Sequence, residues 1–155
     1  MHGAVTVNMA APPERIWELV SDVTQIGRYS PETFDAVWIE PATGPALGAK
    51  FRGHVKRNGR GPIYWTTCTV VDCEPGREFA FGVGNTDTPL NVWRYRLKPG
   101  VDGTTDVTES FELTDTFGLR LYWVFFGWTR GKTNQNGMRT TLERIKAVVE
   151  AESPS

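Results

Sequence analysis

Cysteine and histidine are scarce in this sequence, and their scarcity excludes several kinds of chemistry. Two cysteines and two histidines occur among 155 residues. Neither cysteine belongs to a CxxC motif or to a Cys/His cluster, so a metal site is not expected. The chain also has no Ser/His/Asp or Cys/His arrangement and no HExxH motif, which hydrolases and metalloproteases need. We therefore expect neither a metal nor a cofactor.

The sequence also has no excess of charge of one sign and no long apolar run. The 17 basic and 18 acidic residues give a net charge of -1. Nucleic-acid-binding domains carry a basic patch, so nucleic acid is not an expected partner. The longest apolar block, residues 121–128, is far shorter than the roughly 20 residues that span a bilayer. Because no secretory signal is evident at the start, the expected location is the cytoplasm.

The two cysteines, Cys68 and Cys73, lie five positions apart in one predicted strand. Side chains alternate between the faces of a strand, so an odd separation predicts that these two point to opposite faces. A disulfide between them is therefore not expected.

The predicted elements begin with a strand over residues 4–9. Pro12 and Pro13 favour the first turn of a helix whose apolar face includes Ile16 and Leu19. Residues 22–30 form a second short helix or a turn, and residues 34–39 return to strand. From residue 48 to 114 the pattern predicts nearly continuous antiparallel sheet, with a turn signal at residues 58–62.

The last third of the chain predicts a long helix with an apolar stripe that becomes polar in its middle. Met138, Leu142, Ile145 and Val149 are spaced as one buried helix face. The same spacing leads back to Asn134 or Gln135, then to Gly131, and then to Trp128 or Gly127. A stripe interrupted by an amide and a glycine favours a helix that covers a cavity. One curved sheet of about seven strands leaves one face for such a helix to cover.

Three segments resemble polyketide cyclase/dehydrase-like proteins of the SRPBCC (START-related) superfamily. They are PPERIWELVSD at residues 12–22 followed by YSP at 29–31, WRY at 93–95 leading to GTTDVTES at 103–110, and NGMRTTLERIK at 136–146. The resemblance covers essentially the whole chain and implies one helix-grip domain over residues 1–155. This is an α+β fold in which a seven-stranded curved antiparallel sheet wraps around a long C-terminal helix, with two short helices between the first and second strands.

What the resemblance implies for function is broader. Members of this superfamily bind lipids, polyketides, hormones and other apolar molecules, and some cyclise polyketides. The matching motifs are mostly structural, so they assign no catalytic residue, and fold analogy does not choose among these activities.

Glu109 is the sharpest candidate for a site residue. If Val107 and Phe111 face inward, Glu109 between them faces inward too. A buried carboxyl group needs a compensating interaction, which suggests a general acid or base with a raised pKa. The alternatives are a structural carboxylate bound to a hydroxyl or an arginine, and a bulge that turns Glu109 outward.

The remaining candidates would line the same cavity. Trp93 and Tyr95 share one face of a strand, where they form either an aromatic wall with one hydroxyl or plain core packing. Phe111 and Met138 complete the apolar lining. From the helix side, Asn134 or Gln135 would supply hydrogen bonds, although either residue could instead cap the helix or face water, and Trp128 lies nearby.

Residues 117–128 are apolar on nearly all sides. Burial within the fold, a gate to the pocket, a dimer contact and a transient membrane contact all fit such a segment. Of the two histidines, His54 alternates with apolar residues and is predicted to face solvent, and His2 is near the terminus.

The expected function is binding of a small hydrophobic or amphipathic ligand, such as a lipid or a polyketide, between sheet and helix. The alternative is a polyketide aromatase/cyclase in which Glu109 and Tyr95 transfer protons and polarise a carbonyl group.

Overall fold

One antiparallel sheet and one long helix account for most of the described chain. The computed structural model describes residues 2–56, 63–84, 87–113 and 117–152, with side chains in the last range from residue 135 onward. The strands are β1 His2–Met9, β2 Thr33–Trp38, β3 Lys50–Lys56, β4 Ile63–Glu74, β5 Glu78–Gly84, β6 Pro89–Pro99 and β7 Thr105–Leu113. The helices are α1 Pro13–Ser21 and α2 Phe117–Glu152, and 3₁₀ helices span Val23–Arg28 and Val101–Gly103.

The sheet order is β1-β7-β6-β5-β4-β3-β2, and every neighbouring pair is antiparallel. Strands β2 to β7 therefore form a continuous meander, whereas β1 lies at the far edge of the sheet, beside β7. Helix α1 and the 3₁₀ helix after it connect the two edge strands, β1 and β2. The predicted helix-grip architecture is confirmed. The predicted turn at residues 58–62 lies outside the described residues.

The stripe predicted on α2 is the part of the helix that completes the core. Met138, Leu142, Ile145 and Val149 are each at most 1% exposed. Burying four large apolar side chains contributes roughly 1.5–3 kcal/mol for each of them. Helix α2 lies against β1, and Gly3 of that strand leaves room for Phe111 and Met138.

Helix α1 begins where its prolines predict. Pro12 and Pro13 start it, and Ile16, Leu19 and Val20 bury its apolar face. At its end, Asp22 accepts a hydrogen bond from the Thr24 backbone N–H through Oδ1, which caps the following 3₁₀ helix. The predicted second helical piece is therefore this 3₁₀ helix.

One prediction about the strands is wrong, and a bulge explains why. The pairing of β4 with β5 shifts between Val70 and Asp72. The extra residue reverses the alternation of side chains, so that Cys73, like Cys68, lies on the core side of the sheet. Both cysteines are free thiols, as predicted.

No helix in the described part of the chain is both long enough and apolar enough to cross a membrane.

Candidate functional site

A cavity lies between the inner face of the sheet and helix α2. Its volume is about 160 Å³. By the same measure, a cavity of roughly 10–15 Å³ already holds one water molecule. It is therefore large enough for a ligand. Most described residues that line it are apolar or aromatic: from the sheet Phe51, Val55, Tyr64, Cys68, Phe81, Val83, Trp93 and Tyr95, from α2 Gly137 and Met138, from the 3₁₀ helix Val23–Arg28 Ile26, and from the loop before β2 Pro31.

Glu109 points into this cavity, as the alternation along β7 predicts. Val107, Glu109 and Phe111 are all buried, and Glu109 is 4% exposed. The Tyr95 hydroxyl, on the neighbouring strand, donates a hydrogen bond to Glu109 Oε1 over 3.2 Å. Burial raises the pKa of Glu109 to about 8, although the Tyr95 hydrogen bond lowers it. Near neutral pH, Glu109 is therefore mainly a neutral carboxylic acid.

A second buried tyrosine lies near the Tyr95–Glu109 pair and was not among the predicted site residues. Tyr29, at the end of the 3₁₀ helix, is 1% exposed. Burial raises its pKa, and the nearby charges of Glu109 and then Asp22 raise it further. Burial and the charge of Glu109 likewise hold the pKa of Tyr95 well above its ordinary value. Both phenols are thus neutral hydrogen-bonding groups. Tyr29 stands in one of the family-like motifs, but no periodic pattern marks its burial.

The aromatic residues form two contacts that shape the wall. Trp93 packs against Phe111 with ring centroids 5.5 Å apart, and Phe51 meets Phe81 edge to face at 5.2 Å. Trp93 lines the cavity, whereas Phe111 lies behind it in the core. The prediction that Trp93 and Tyr95 share the inner face is confirmed, and Phe111 supports the wall rather than forming it.

Two buried polar atoms, on residues that line the cavity, have no hydrogen-bond partner among the described residues. They are Glu109 Oε2 and Asn91 Oδ1, and both are buried. Asn91 was not predicted as a site residue, yet period-2 alternation places it on the same face of β6 as Trp93 and Tyr95. Buried polar atoms are normally paired, so a partner from a bound molecule would satisfy both.

Of the predicted residues with described side chains on α2, one lines the cavity and one does not. Met138 is buried and lines the cavity, whereas Gln135 is exposed and does not. Thr141 lines the cavity instead, and its hydroxyl donates to the Gly137 carbonyl oxygen over 2.8 Å. Helix geometry explains why Gln135 does not line the cavity. Thr141 and Gln135 lie about 60° to opposite sides of Met138 on a helix of 3.6 residues per turn, and the cavity is on the Thr141 side.

The remaining predictions concern Asn134, Trp128, residues 117–128 and His54. The side chains of Asn134 and Trp128, and the segment at residues 117–128, lie outside the described side chains. His54 is on the outer face of the sheet, stacked on Trp65 with ring centroids 4.1 Å apart.

The chemical groups in the described cavity are few. Burial raises the pKa of the Cys68 thiol to about 12, so the reactive thiolate is scarce at neutral pH. In the described part of the chain, no three His, Cys, Asp or Glu side chains are grouped so that they could hold a metal ion. The arrangement can hold an apolar molecule and offer it hydrogen bonds or a proton from the Tyr95–Glu109 pair.

Comparison with known proteins agrees with this architecture. The family profile described as "Polyketide cyclase / dehydrase and lipid transport" matches residues 2–150. No protein of curated function matches the chain significantly.

Several solved structures are similar over nearly the whole chain. A Polyketide_cyc-like protein from Corynebacterium glutamicum is 30% identical, with a TM-score of 0.66 over 97% of this chain and 92% of that one. A protein from Nitrosomonas europaea is 15% identical, with a TM-score of 0.70 over 98% of this chain and 96% of that one. The di-domain ARO/CYC protein StfQ from the steffimycin biosynthetic pathway is 11% identical, with a TM-score of 0.68 over 97% of this chain and 45% of StfQ. At these low identities, the last two similarities concern the fold.

Proposed function

The chain belongs to the polyketide cyclase/dehydrase and lipid transport family, and from that premise we propose that it binds a small hydrophobic or amphipathic molecule in the cavity between the sheet and α2. A lipid-like or polyketide-like molecule fits this description. The family description names both polyketides and lipids, so the choice of ligand class depends on the chemistry of the cavity.

The observation that carries the proposal is a cavity with an aromatic wall and a buried acid, Glu109. Trp93 and Phe81 give the wall its apolar surface, and Tyr95 and Glu109 place polar groups within it. Ligand sites are typically concave and apolar, with a few polar groups that orient the ligand. Burying a carboxyl group is costly, and a core built only for stability would gain more from an apolar residue at position 109.

A test of this proposal blocks the cavity at Gly137. A Cβ added there meets no atom within 4 Å, and the residue lines the cavity. Gly137→Phe should therefore fill the space without disturbing the core. The control is Ala147→Phe on the exposed side of the same helix. Binding is measured by fluorescence of the neutral dye Nile red, its displacement by lipids and aromatic ketones, and native mass spectrometry of the freshly purified protein.

We expect Gly137→Phe to abolish dye binding and Ala147→Phe to leave it unchanged. Equal binding by the wild type and both variants would place the dye outside the cavity. Absence of any bound or competing apolar molecule in the wild type would remove the proposed function.

The second candidate function is a polyketide aromatase/cyclase. It is favoured by the position of Glu109, a buried acid with a pKa of about 8 that shares a hydrogen bond with Tyr95. A group of that pKa can give a proton to a ketone oxygen and, once ionised, take one from the adjacent carbon. The cavity would fold the poly-β-ketone chain so that the reacting carbons meet.

Two variants test the cyclase hypothesis. With a poly-β-ketone substrate, Glu109→Gln and Tyr95→Phe should abolish turnover while Nile red displacement by the substrate persists. Full activity in both variants would remove the assigned roles. Absence of turnover in the wild type with intact binding would favour the binding protein.

A further inference from the structure

Glu109 and Asn91 line the cavity, and each has a buried oxygen without a hydrogen-bond partner. These two oxygens indicate which hydrogen-bonding groups a bound molecule would supply. Glu109 already accepts a hydrogen bond at Oε1 from Tyr95. In a neutral carboxylic acid the oxygen that accepts is the carbonyl oxygen, so the proton resides on the other one, Oε2. That atom is buried without a partner. Glu109 therefore presents an O–H donor that needs an acceptor.

Neutrality of Glu109 follows from its surroundings. Among the described residues that line the cavity there is no lysine, arginine or histidine. An ionised carboxylate buried without a cation would be very costly. The raised pKa of Glu109 agrees with this argument.

The second atom, Asn91 Oδ1, has the opposite requirement. An amide oxygen only accepts hydrogen bonds, so it needs a donor. Asn91 precedes Tyr95 by four positions on β6, and Trp93 lies between them on the same face. Four strand residues span roughly 13 Å. The donor and the acceptor thus stand at two ends of an apolar surface provided by Trp93.

Resting on the proposed function, we propose that the ligand is a neutral molecule with a carbonyl oxygen at one end, which accepts from Glu109 Oε2, and a hydroxyl group at the other end, which donates to Asn91 Oδ1. Its apolar body lies across Trp93. Carboxylate ligands such as free fatty acids are disfavoured, because burying their charge is costly and no described residue of the lining has a basic side chain.

A matched series of two-ring compounds tests this pattern at pH 6.5. The probes are 6-acetyl-2-naphthol with both groups, 2-acetylnaphthalene with the carbonyl only, 6-ethyl-2-naphthol with the hydroxyl only, 2-ethylnaphthalene with neither, and the anion 6-hydroxy-2-naphthoate. Affinities are obtained from Nile red displacement and calorimetry. Each satisfied buried group should strengthen binding about tenfold, so the first compound should bind best and the anion should bind worst among the hydroxylated ones.

Three variants assign the preferences to their residues. Asn91→Leu should remove the benefit of the hydroxyl group and retain that of the carbonyl group. Glu109→Leu should do the reverse, whereas Glu109→Gln should retain the carbonyl preference because its amide also donates. Glu112→Leu, on the exposed face of β7, is the control and should change no affinity.

The outcomes separate this proposal from the one it rests on. If the four neutral compounds bind equally, or the naphthoate binds as well as 6-acetyl-2-naphthol, the cavity is a binding site and the proposed ligand chemistry is wrong. If none of the compounds binds while other apolar molecules displace Nile red, the ligand chemistry is again wrong. If no apolar molecule binds at all, the proposed function and this inference both fall.

Discussion

Tyr95 and Glu109 are paired directly opposite each other in strands β6 and β7, and their side chains meet inside the protein. The Tyr95 hydroxyl donates to Glu109 Oε1 over 3.2 Å. Opposed side chains in an antiparallel pair lie on the same face of the sheet, so the contact is fixed by strand register. The backbone holds the acid and its hydrogen-bond donor in place before any ligand enters.

Glu109 should make the stability of the protein depend on pH. Its pKa of about 8 in the folded state exceeds the ordinary value of 4.5, so the folded state retains a proton that the unfolded state loses. The stabilisation is complete below about pH 4.5 and declines as pH rises toward 8, by up to about 1.4 kcal/mol per pH unit. Urea unfolding at pH 5, 6, 7 and 8 should show that Glu109→Gln loses this decline.

Exposed Glu112 provides the control for that experiment, since Glu112→Gln should keep the wild-type slope. Identical slopes for the wild type and Glu109→Gln would mean that Glu109 ionises normally in the folded protein.

Removal of the Tyr95 hydroxyl should raise the pKa of Glu109 further. The hydrogen bond from Tyr95 lowers that pKa against the effect of burial, so Tyr95→Phe removes the opposing influence. The variant should also lose about 1 kcal/mol of stability through one hydrogen bond. A carbon-13 NMR titration of the Glu109 carboxyl group measures the shift. A lower pKa in the variant would contradict the assigned contact.

Two glycines should respond oppositely to alanine. Gly137 has open space around its missing Cβ, so Gly137→Ala should stabilise α2 by up to about 1 kcal/mol. At Gly27 an added Cβ would lie 2.3 Å from the Phe34 carbonyl oxygen, and Gly27→Ala should cost about 3 kcal/mol. Thermal unfolding compares the two. A destabilised Gly137→Ala would show that this part of α2 is tightly packed.

Arg94 should stabilise the outer face of the sheet through two carboxylates. It bonds to Asp72 and Glu78, and its side chain is 22% exposed. Arg94→Met should therefore cost about 1 kcal/mol, and the cost should shrink in 1 M salt, where charges are strongly screened. Arg96→Met is the matched control: Arg96 lies 3.6 Å from Glu78 but is 66% exposed, and its loss should change stability little. Equal costs for both variants would contradict this account.

The predictions from sequence succeeded where a regular element runs without interruption. Strand β7 pairs in continuous register from Thr105 to Leu113, so alternation placed Glu109 correctly. The spacing of Met138 and Leu142 likewise identified the buried face of α2. Alternation failed in β4, where the bulge near Val70 reverses the faces and brings Cys73 to the core side. A single strand's sequence does not reveal which residue its partner leaves unpaired.

The sequence by itself determined the antiparallel meander, the covering helix and the inward acid, because hydrophobic periodicity is a local property of the chain. The tertiary structure decided which side chains share the cavity. Tyr29, from the 3₁₀ helix after α1, lies near enough to Glu109 for that charge to affect its pKa. Gln135 gives way to Thr141 because the cavity lies on only one side of the Met138 stripe. The high pKa of Glu109 and the unpartnered buried oxygens also arise only in the folded structure. They depend on desolvation by neighbours that packing, and not sequence spacing, brings together.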